Sequence, residues 1–423
     1  MINAVVGINW GDEGKGRMVD LLSEKSDIVC RYQGGNNAGH TVINHLGEFK
    51  LNLLPSGILR PGVVNVMGNG MVIDLEHLVG EIGKLRKAGI EITPERLKIS
   101  DRAIICFPFH VRQDALEEER LGDAKYGSTR RGIAYVYGDK YMKKGIRMGE
   151  LFDRDALKDR VKSVVSWKNL TIGGVYGAEP DDAEKIIAWL DTFGCELLPY
   201  IVDTSDYLED ALSAGKTILF EAQLGALRDI DFGIYPYTSS SYTLASYGPI
   251  GAGIPGHAVD MTLGVMKAYS TCVGEGPFTA EMFGEEAEAL RKAGGEYGAA
   301  TGRPRRVGGF DVVASKYGVR VQGADRIALT KLDILSGWQK IPVCVAYEID
   351  GKQTDRFPTG ARLERAKPVY EYHDGWMQDI SRCRSFDELP DKAKAYVEYL
   401  EKAMECPIQY VSVGAEREAY LER

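Results

Sequence analysis

No two cysteines in this chain are spaced for a metal clip. The seven, Cys30, Cys106, Cys195, Cys272, Cys344, Cys383 and Cys406, are odd in number, scattered and never arranged Cys-x-x-Cys. That excludes a disulfide framework and a zinc ribbon as first readings and points to a reducing compartment, the cytoplasm. A basic excess is also missing: 52 Lys plus Arg face 61 Asp plus Glu, a net charge of -9, so neither nucleic acid nor an anionic membrane is the expected partner. No apolar window reaches the length of a membrane span, and the opening Met1-Ile2-Asn3-Ala4-Val5-Val6-Gly7 lacks the basic start and apolar length of a signal peptide. Repeats and Pro- or Ser-rich linkers are absent, so residues 1–423 are expected to form one elaborated domain. A small-molecule substrate is the class left standing.

Glycine is in excess, 49 of 423 residues against a usual ~7%. It clusters in short loops, which implies close backbone approaches. Apolar runs of strand length (Ala4 to Ile8, Asp27 to Tyr32, Val63 to Met67) alternate with helical patterns from about Gly16 to Glu24 and from Leu75. Asp74 reads as the N-cap of the second helix, with Leu75, Leu78, Ile82 and Leu85 on one face and Gly89 at its end. A mostly helical insertion is expected over about 148–214. Strands are expected again at Thr217 to Phe220, Arg326 to Thr330, Val343 to Ile349 and Ile408 to Val413. This alternation predicts an α/β fold with a large, mostly parallel central sheet flanked by helices and smaller subsidiary elements.

Two loops carry the chemistry. After the first strand comes Asn9-Trp10-Gly11-Asp12-Glu13-Gly14-Lys15-Gly16, leading into a helix. Backbone amides and a lysine at a helix N-terminus suit phosphate. The spacing is not that of a standard P-loop, and no Ser or Thr follows Lys15. A Gly-rich turn is by itself often only a connection, and Lys15 a solvated charge. The carboxylate of Asp12 among these glycines is what points to metal binding or proton transfer beside a phosphate. After the second strand comes Gln33-Gly34-Gly35-Asn36-Asn37-Ala38-Gly39-His40-Thr41, a tight polar loop that reads either as a ligand wall or as a turn capped by His40. A dinucleotide-binding reading fails, because no Gly-x-Gly-x-x-Gly follows the first strand.

Together these two loops resemble adenylosuccinate synthetases. The resemblance recurs at Gly127-Ser128-Thr129, Asp229-Ile230-Asp231, Lys267-Ala268-Tyr269, Thr301-Gly302-Arg303, Thr330-Lys331-Leu332-Asp333 and Ser412-Val413-Gly414, and so covers nearly the whole chain. It implies the P-loop-NTPase-like fold of that family and a homodimer. It also implies ligation of L-aspartate to IMP, driven by GTP with Mg2+, through a 6-phosphoryl-IMP intermediate. By resemblance Asp12 is the base that takes the N1 proton, and His40 and Lys15 stabilise the transferring phosphoryl group. Asp12 and the Gly39 carbonyl would hold the metal. Glu13, Gly14, Gly16, Thr41, Arg305, Lys331, Asp333, Ser412 and Gly414 join Asp12, Lys15, Gly39 and His40 around GTP, with Asp333 selecting guanine. Ala300, Thr301, Arg303 and Arg305 would take aspartate. Asn37, Thr129, Lys143, Leu224, Ser239 and Arg303 would hold the acceptor nucleotide, Lys143 from the partner subunit.

The acceptor side departs from the family pattern. The run Glu221-Ala222-Gln223-Leu224-Gly225 puts Leu224 where the family has a glutamine, unless Gln223 replaces it after a one-residue shift. Lys143 and Cys272 stand where the family has arginines, and Ser239 and Ala300 where it has threonines. These changes keep open the same chemistry on a different 6-oxopurine nucleotide, and a nucleotide-binding paralogue without turnover.

Overall fold

The computed structural model describes residues 1–37, 39–44, 47–297 and 304–423. Its centre is a ten-stranded sheet, built from β1 (Ile2–Gly7), β2 (Ile28–Arg31), β3 (Val64–Met67), β4 (Leu97–Ser100), β5 (Ile201–Val202), β6 (Ile218–Glu221), β7 (Met261–Lys267), β8 (Arg326–Thr330), β9 (Ile408–Ser412) and β10 (Tyr420–Glu422). The spatial order is β10-β9-β8-β7-β1-β6-β2-β3-β4-β5. Every pairing is parallel except that of β9 with β10 at one edge. In β1, Ala4, Val5 and Val6 have no exposed surface, as expected of a strand covered by helices on both faces. The sheet therefore matches the expected large, mostly parallel one.

Smaller elements sit around it. Lys340–Ile349 pairs antiparallel with Lys352–Thr354 and Lys367–Asp374, Ser270–Cys272 pairs with Arg306–Gly308, and a hairpin joins His40–Asn44 to Gly47–Leu51.

Helix α1 (Lys15–Leu22) follows β1, and α2 (Leu75–Lys87) begins at the expected residue. Asp74 caps α2 by accepting from the His77 amide at 3.1 Å, which satisfies one of the orphan donors of its first turn. Leu75, Leu78, Ile82 and Leu85 are all buried. They share a core with Ile186, Ile187 and Leu190. Helices α3 (Pro108–Leu121) and α4 (Ile133–Tyr141) precede the expected helical stretch of about 148–214, which holds α5 (Arg154–Tyr176), α6 (Ala183–Leu197) and α7 (Thr204–Ser213) and also the edge strand β5. Asp153, Asp182 and Asp203 cap the last three of these. Among the described residues, no helix is long and apolar enough to cross a membrane.

A buried polar knot ties α3, α4 and α5 together. His110 Nε2 donates to Asp139 at 2.9 Å, its Nδ1 accepts from the Phe107 amide at 3.0 Å, and Lys168 donates to Asp139 at 2.8 Å and to Gln113 at 3.0 Å. Burial depresses the His110 pKa from its ordinary value to about 4, against the pull of Asp139. The unfolded chain thus binds a proton that the folded chain refuses as pH falls through the 6.5-to-4 window, and stability falls with it. Going from pH 7 to pH 5 is expected to cost about 2 kcal/mol at this residue. Urea midpoints at the two pH values check this, with His110→Gln expected to show a smaller pH difference than the wild type.

Candidate active site

The C-terminal ends of β1, β2, β6, β7 and β8 converge, as is usual for ligand sites in open parallel sheets. Each end delivers one part of the site: the Asn9–Gly16 loop, the Gln33–His40 loop, Glu221 to Leu224, Lys267, and Lys331 to Asp333.

Backbone geometry shapes the first loop. Gly11, Asp12 and Gly14 all have left-handed φ angles, 105°, 59° and 98°, and Gly14 is the N-cap of α1 with no side-chain cap bond. The first amides of α1 are thus left to a ligand. Glu13 acts as an internal tie: its carboxylate accepts from the amides of Asn9 at 3.1 Å and Gly11 at 2.8 Å and pairs with Lys15 at 2.6 Å. Thr330 donates to the Glu13 carbonyl at 2.6 Å, fastening the loop to β8. Asp12 points the other way. Its side chain is 38% exposed and pairs with Arg305 Nη2 at 3.1 Å.

His40 opens the hairpin that follows the second loop and is buried. Its Nδ1 is bonded to Glu221, and its Nε2 has no hydrogen-bond partner among the described residues. Glu221 is fully buried and also accepts from the Ser56 amide and hydroxyl, each at 2.7 Å. Burial opposes its charge, but His40, Arg31 and the Ser56 amide together hold its carboxyl below the ordinary range. An ionised carboxylate therefore fixes the imidazole so that one nitrogen is left over.

The acceptor wall follows. Gln223 is fully buried, with its amide nitrogen donating to the Gly35 carbonyl at 2.7 Å. Its backbone carbonyl takes Gln33 Nε2 at 2.9 Å, and Gln33 in turn accepts from Ser241, which contacts Ser239. Leu224 adopts φ 60° and packs its side chain 3.7 Å from the space a Gly11 side chain would occupy. Leucine in that conformation is uncommon. Asn37 accepts from the Gly35 amide at 3.2 Å. Thr129 and Lys143 are exposed, Lys143 with φ 61° in the turn after α4, next to exposed Tyr141 and Met142. Cys272, where the resemblance expects arginine, is buried and accepts from Arg228 Nη2 at 3.1 Å.

At the other end, Arg17 of α1 donates to Ser412 Oγ at 2.9 Å and to the Gly414 carbonyl at 2.6 Å. Asp333 lies close enough for its charge to be felt at Arg17. Burial raises the Asp333 pKa, with Lys331 and Arg17 opposing. The structure thus groups Lys331, Asp333, Ser412 and Gly414 at one end of the loop cluster. Ala300, Thr301 and Arg303 lie outside the described residues, as does the side chain of Thr41. Sequence reading passed over the roles of Glu221, Glu296, Lys267, Ser56 and Arg17. A lone acid or base closing an apolar strand, as in Ile218–Glu221 and Met261–Lys267, was the signal available for two of them.

Among the described residues no group of three or more His, Cys, Asp or Glu could hold a metal ion. The donors at hand are oxygens, the Asp12 carboxylate and the Gly39 carbonyl, which suit a hard divalent cation that takes its remaining ligands from phosphate and water.

The family model described as adenylosuccinate synthetase matches residues 4–421. An adenylosuccinate synthetase of Caldanaerobacter subterraneus is 45% identical over 418 residues, covering 99% of this chain and 98% of the relative. One of Heliobacterium modesticaldum is 46% identical over 419 residues, covering 99% and 98%. The structure of fully ligated adenylosuccinate synthetase from Plasmodium falciparum superimposes with a TM-score of 0.93 at 37% identity, covering 100% of this chain and 99% of that one. With the Asp12 loop, the Glu221–His40 pair and the Asp333 corner gathered at one end of the parallel sheet, and agreement running from end to end, this chain belongs to the adenylosuccinate synthetase family.

Proposed function

We propose that this enzyme joins L-aspartate to IMP, converts GTP to GDP and phosphate, and works in the cytoplasm as a homodimer whose 423 residues act as one unit. The observations that support it most are a solvent-facing carboxylate, Asp12, on the loop leading into α1, whose N-cap has no side-chain bond, and a buried histidine, His40, whose Nε2 has no hydrogen-bond partner among the described residues. A purine 6-oxygen is a poor leaving group until it is esterified. Asp12 takes the N1 proton of the nucleotide, and O6 then forms a bond to the γ-phosphorus while the bond from that phosphorus to the β,γ-bridging oxygen breaks. His40 Nε2 donates to the oxygens of the transferring group, and Lys15 with the α1 amides balances their charge. Asp12 and the Gly39 carbonyl would hold magnesium, which when bound would supply further positive charge against the phosphates. In the second step the aspartate amine forms the C6–N bond and phosphate departs with O6. Arg305 and Arg303 bind the aspartate carboxylates.

Leu224 and Lys143 bear on the acceptor. The Gln223 amide is committed to Gly35, so the purine oxygen is left to the phosphate loop rather than to a glutamine. Lys143 keeps the charge for a partner's nucleotide phosphate but not the planar fork of arginine.

The test is incubation of the purified protein with GTP, Mg2+ and L-aspartate against IMP, dIMP, GMP, dGMP and XMP, with products identified by mass. Adenylosuccinate from IMP is expected; conversion of GMP or XMP with IMP untouched would overturn the reading.

Guanine selection gives a narrower prediction. Asp333 accepts from the N1 and 2-amino groups of the base, donors that adenine lacks. Asp333→Asn is expected to raise the KM for GTP about 10- to 100-fold, the worth of a hydrogen bond to a charged group, and to favour xanthosine triphosphate. Initial rates with the two nucleotides decide it.

A further inference from the structure

Arg305 is held from behind by a carboxylate that no step above uses. Glu296 has no exposed surface and collects three cations: Lys267 at 2.9 and 3.0 Å, Lys331 at 2.7 Å and Arg305 at 2.8 Å. Tyr269 adds a hydroxyl donor at 2.5 Å. The three cations come from separate elements: the last residue of β7, the residue after β8, and the far side of the segment that carries Thr301 and Arg303. The Glu296 backbone holds Arg305 as well, its carbonyl accepting from the Arg305 amide at 2.9 Å, while its amide donates to the Arg291 carbonyl of the preceding helix at 2.9 Å. Tyr297 and Pro304 bridge the two ends.

One guanidinium is thus shared by two acids of different kinds. Its Nη1 faces Glu296, sealed from water, and its Nη2 faces Asp12, which is open to solvent. The buried contact is the stronger anchor, because water screens it less. A ligand carboxylate or phosphate arriving in the cleft can therefore take the Nη2 edge from Asp12 without displacing the arginine. Lys331 is fixed by the same acid and by the Gly294 carbonyl at 2.7 Å. Three cations against Glu296 and Asp12 leave one positive charge for an anion.

We propose that Glu296 is a positioning residue: it anchors Arg305 and Lys331 by their protein-facing sides so that their remaining donors meet aspartate and GTP, and so that Arg305 can release Asp12 when ligand binds. This rests on the ligase reading above. Glu296→Gln is expected to raise the KM for aspartate about 10- to 100-fold and the KM for GTP about tenfold, with the KM for IMP within about twofold. Glu296→Asp should recover part of the aspartate effect.

Because Glu296→Gln leaves buried cations without their acid and is destabilising, the deciding variant is Lys267→Met with Glu296→Gln. It removes the most deeply buried of the three ion pairs, Lys267 with Glu296, as a unit and is expected to restore most of the lost stability. Positioning predicts that this double variant recovers the melting temperature yet keeps the high aspartate KM. A purely structural role predicts that kinetics return with stability, and that outcome, or unchanged KM values in Glu296→Gln, overturns the proposal. GDP titration by calorimetry separates this from failure of the reaction assignment. If the wild type converts none of the nucleotides, weaker GDP binding in the double variant still supports anchoring of Lys331, and unchanged binding refutes it.

Discussion

Replacing Asp12 by asparagine is expected to lower kcat for adenylosuccinate formation by about 10³-fold, within the range of a lost general base. Asparagine is the informative substitution because the loop survives it. Residue 12 sits at φ 59°, a conformation that asparagine tolerates nearly as well as glycine does. Among the described residues the carboxylate of Asp12 caps no helix and pairs only with Arg305, which keeps Glu296 as its second partner. Glu13, not Asp12, ties the loop amides. GDP affinity at low magnesium and the melting temperature should therefore stay near those of the wild type while turnover collapses. Stopped assays of product by mass, with kcat and KM separated, check it; turnover at an undiminished rate in this variant would sink the assignment of Asp12 as base.

What could be read from the sequence follows from where each determinant lies. β8 was legible residue for residue and α2 from its first residue, because an apolar run and an Asp cap are local signals. β7, next to β1 in the sheet, was not. Gly264 interrupts its apolar run and the strand closes on a lysine. The structure gives the reason for the glycine: a side chain there would lie 2.4 Å from the Ile8 Cδ1, so packing across the sheet overrides strand propensity. The site divides the same way. The Asp12 and His40 loops are contiguous motifs and were visible as such. Glu221 and Glu296 act through contacts made by the fold, His40 meeting Glu221 across 181 positions, and no local spacing announces them. The acceptor wall was legible only as a question about Gln223 and Leu224; the contact of the Gln223 amide with Gly35 is a tertiary fact.

The second large effect is expected at Glu221, which is fully buried and bonded to the Nδ1 of His40. His40 is useful only if Nε2 faces the transferring phosphoryl group and can donate to it, and that depends on what Nδ1 does. The buried, ionised Glu221 settles it by accepting from Nδ1, with its own charge supported by the Ser56 amide and hydroxyl. Glu221→Gln keeps the volume but removes the charge. A glutamine that turns its oxygen to Nδ1 accepts the same hydrogen bond without the negative charge, and one that turns its amide gives Nδ1 a donor in place of its acceptor. Either arrangement removes the anionic support behind a ring facing a group that gains negative charge in the transition state. A fall in kcat of about 100-fold is expected, with the KM for GTP changed far less, since the phosphate loop is held by Glu13 and Thr330. The cycle with His40→Asn distinguishes orientation from an independent contribution. If Glu221 acts through the imidazole, the double variant is no slower than His40→Asn alone. Multiplicative losses in the double variant would instead show that Glu221 serves the reaction by a separate route.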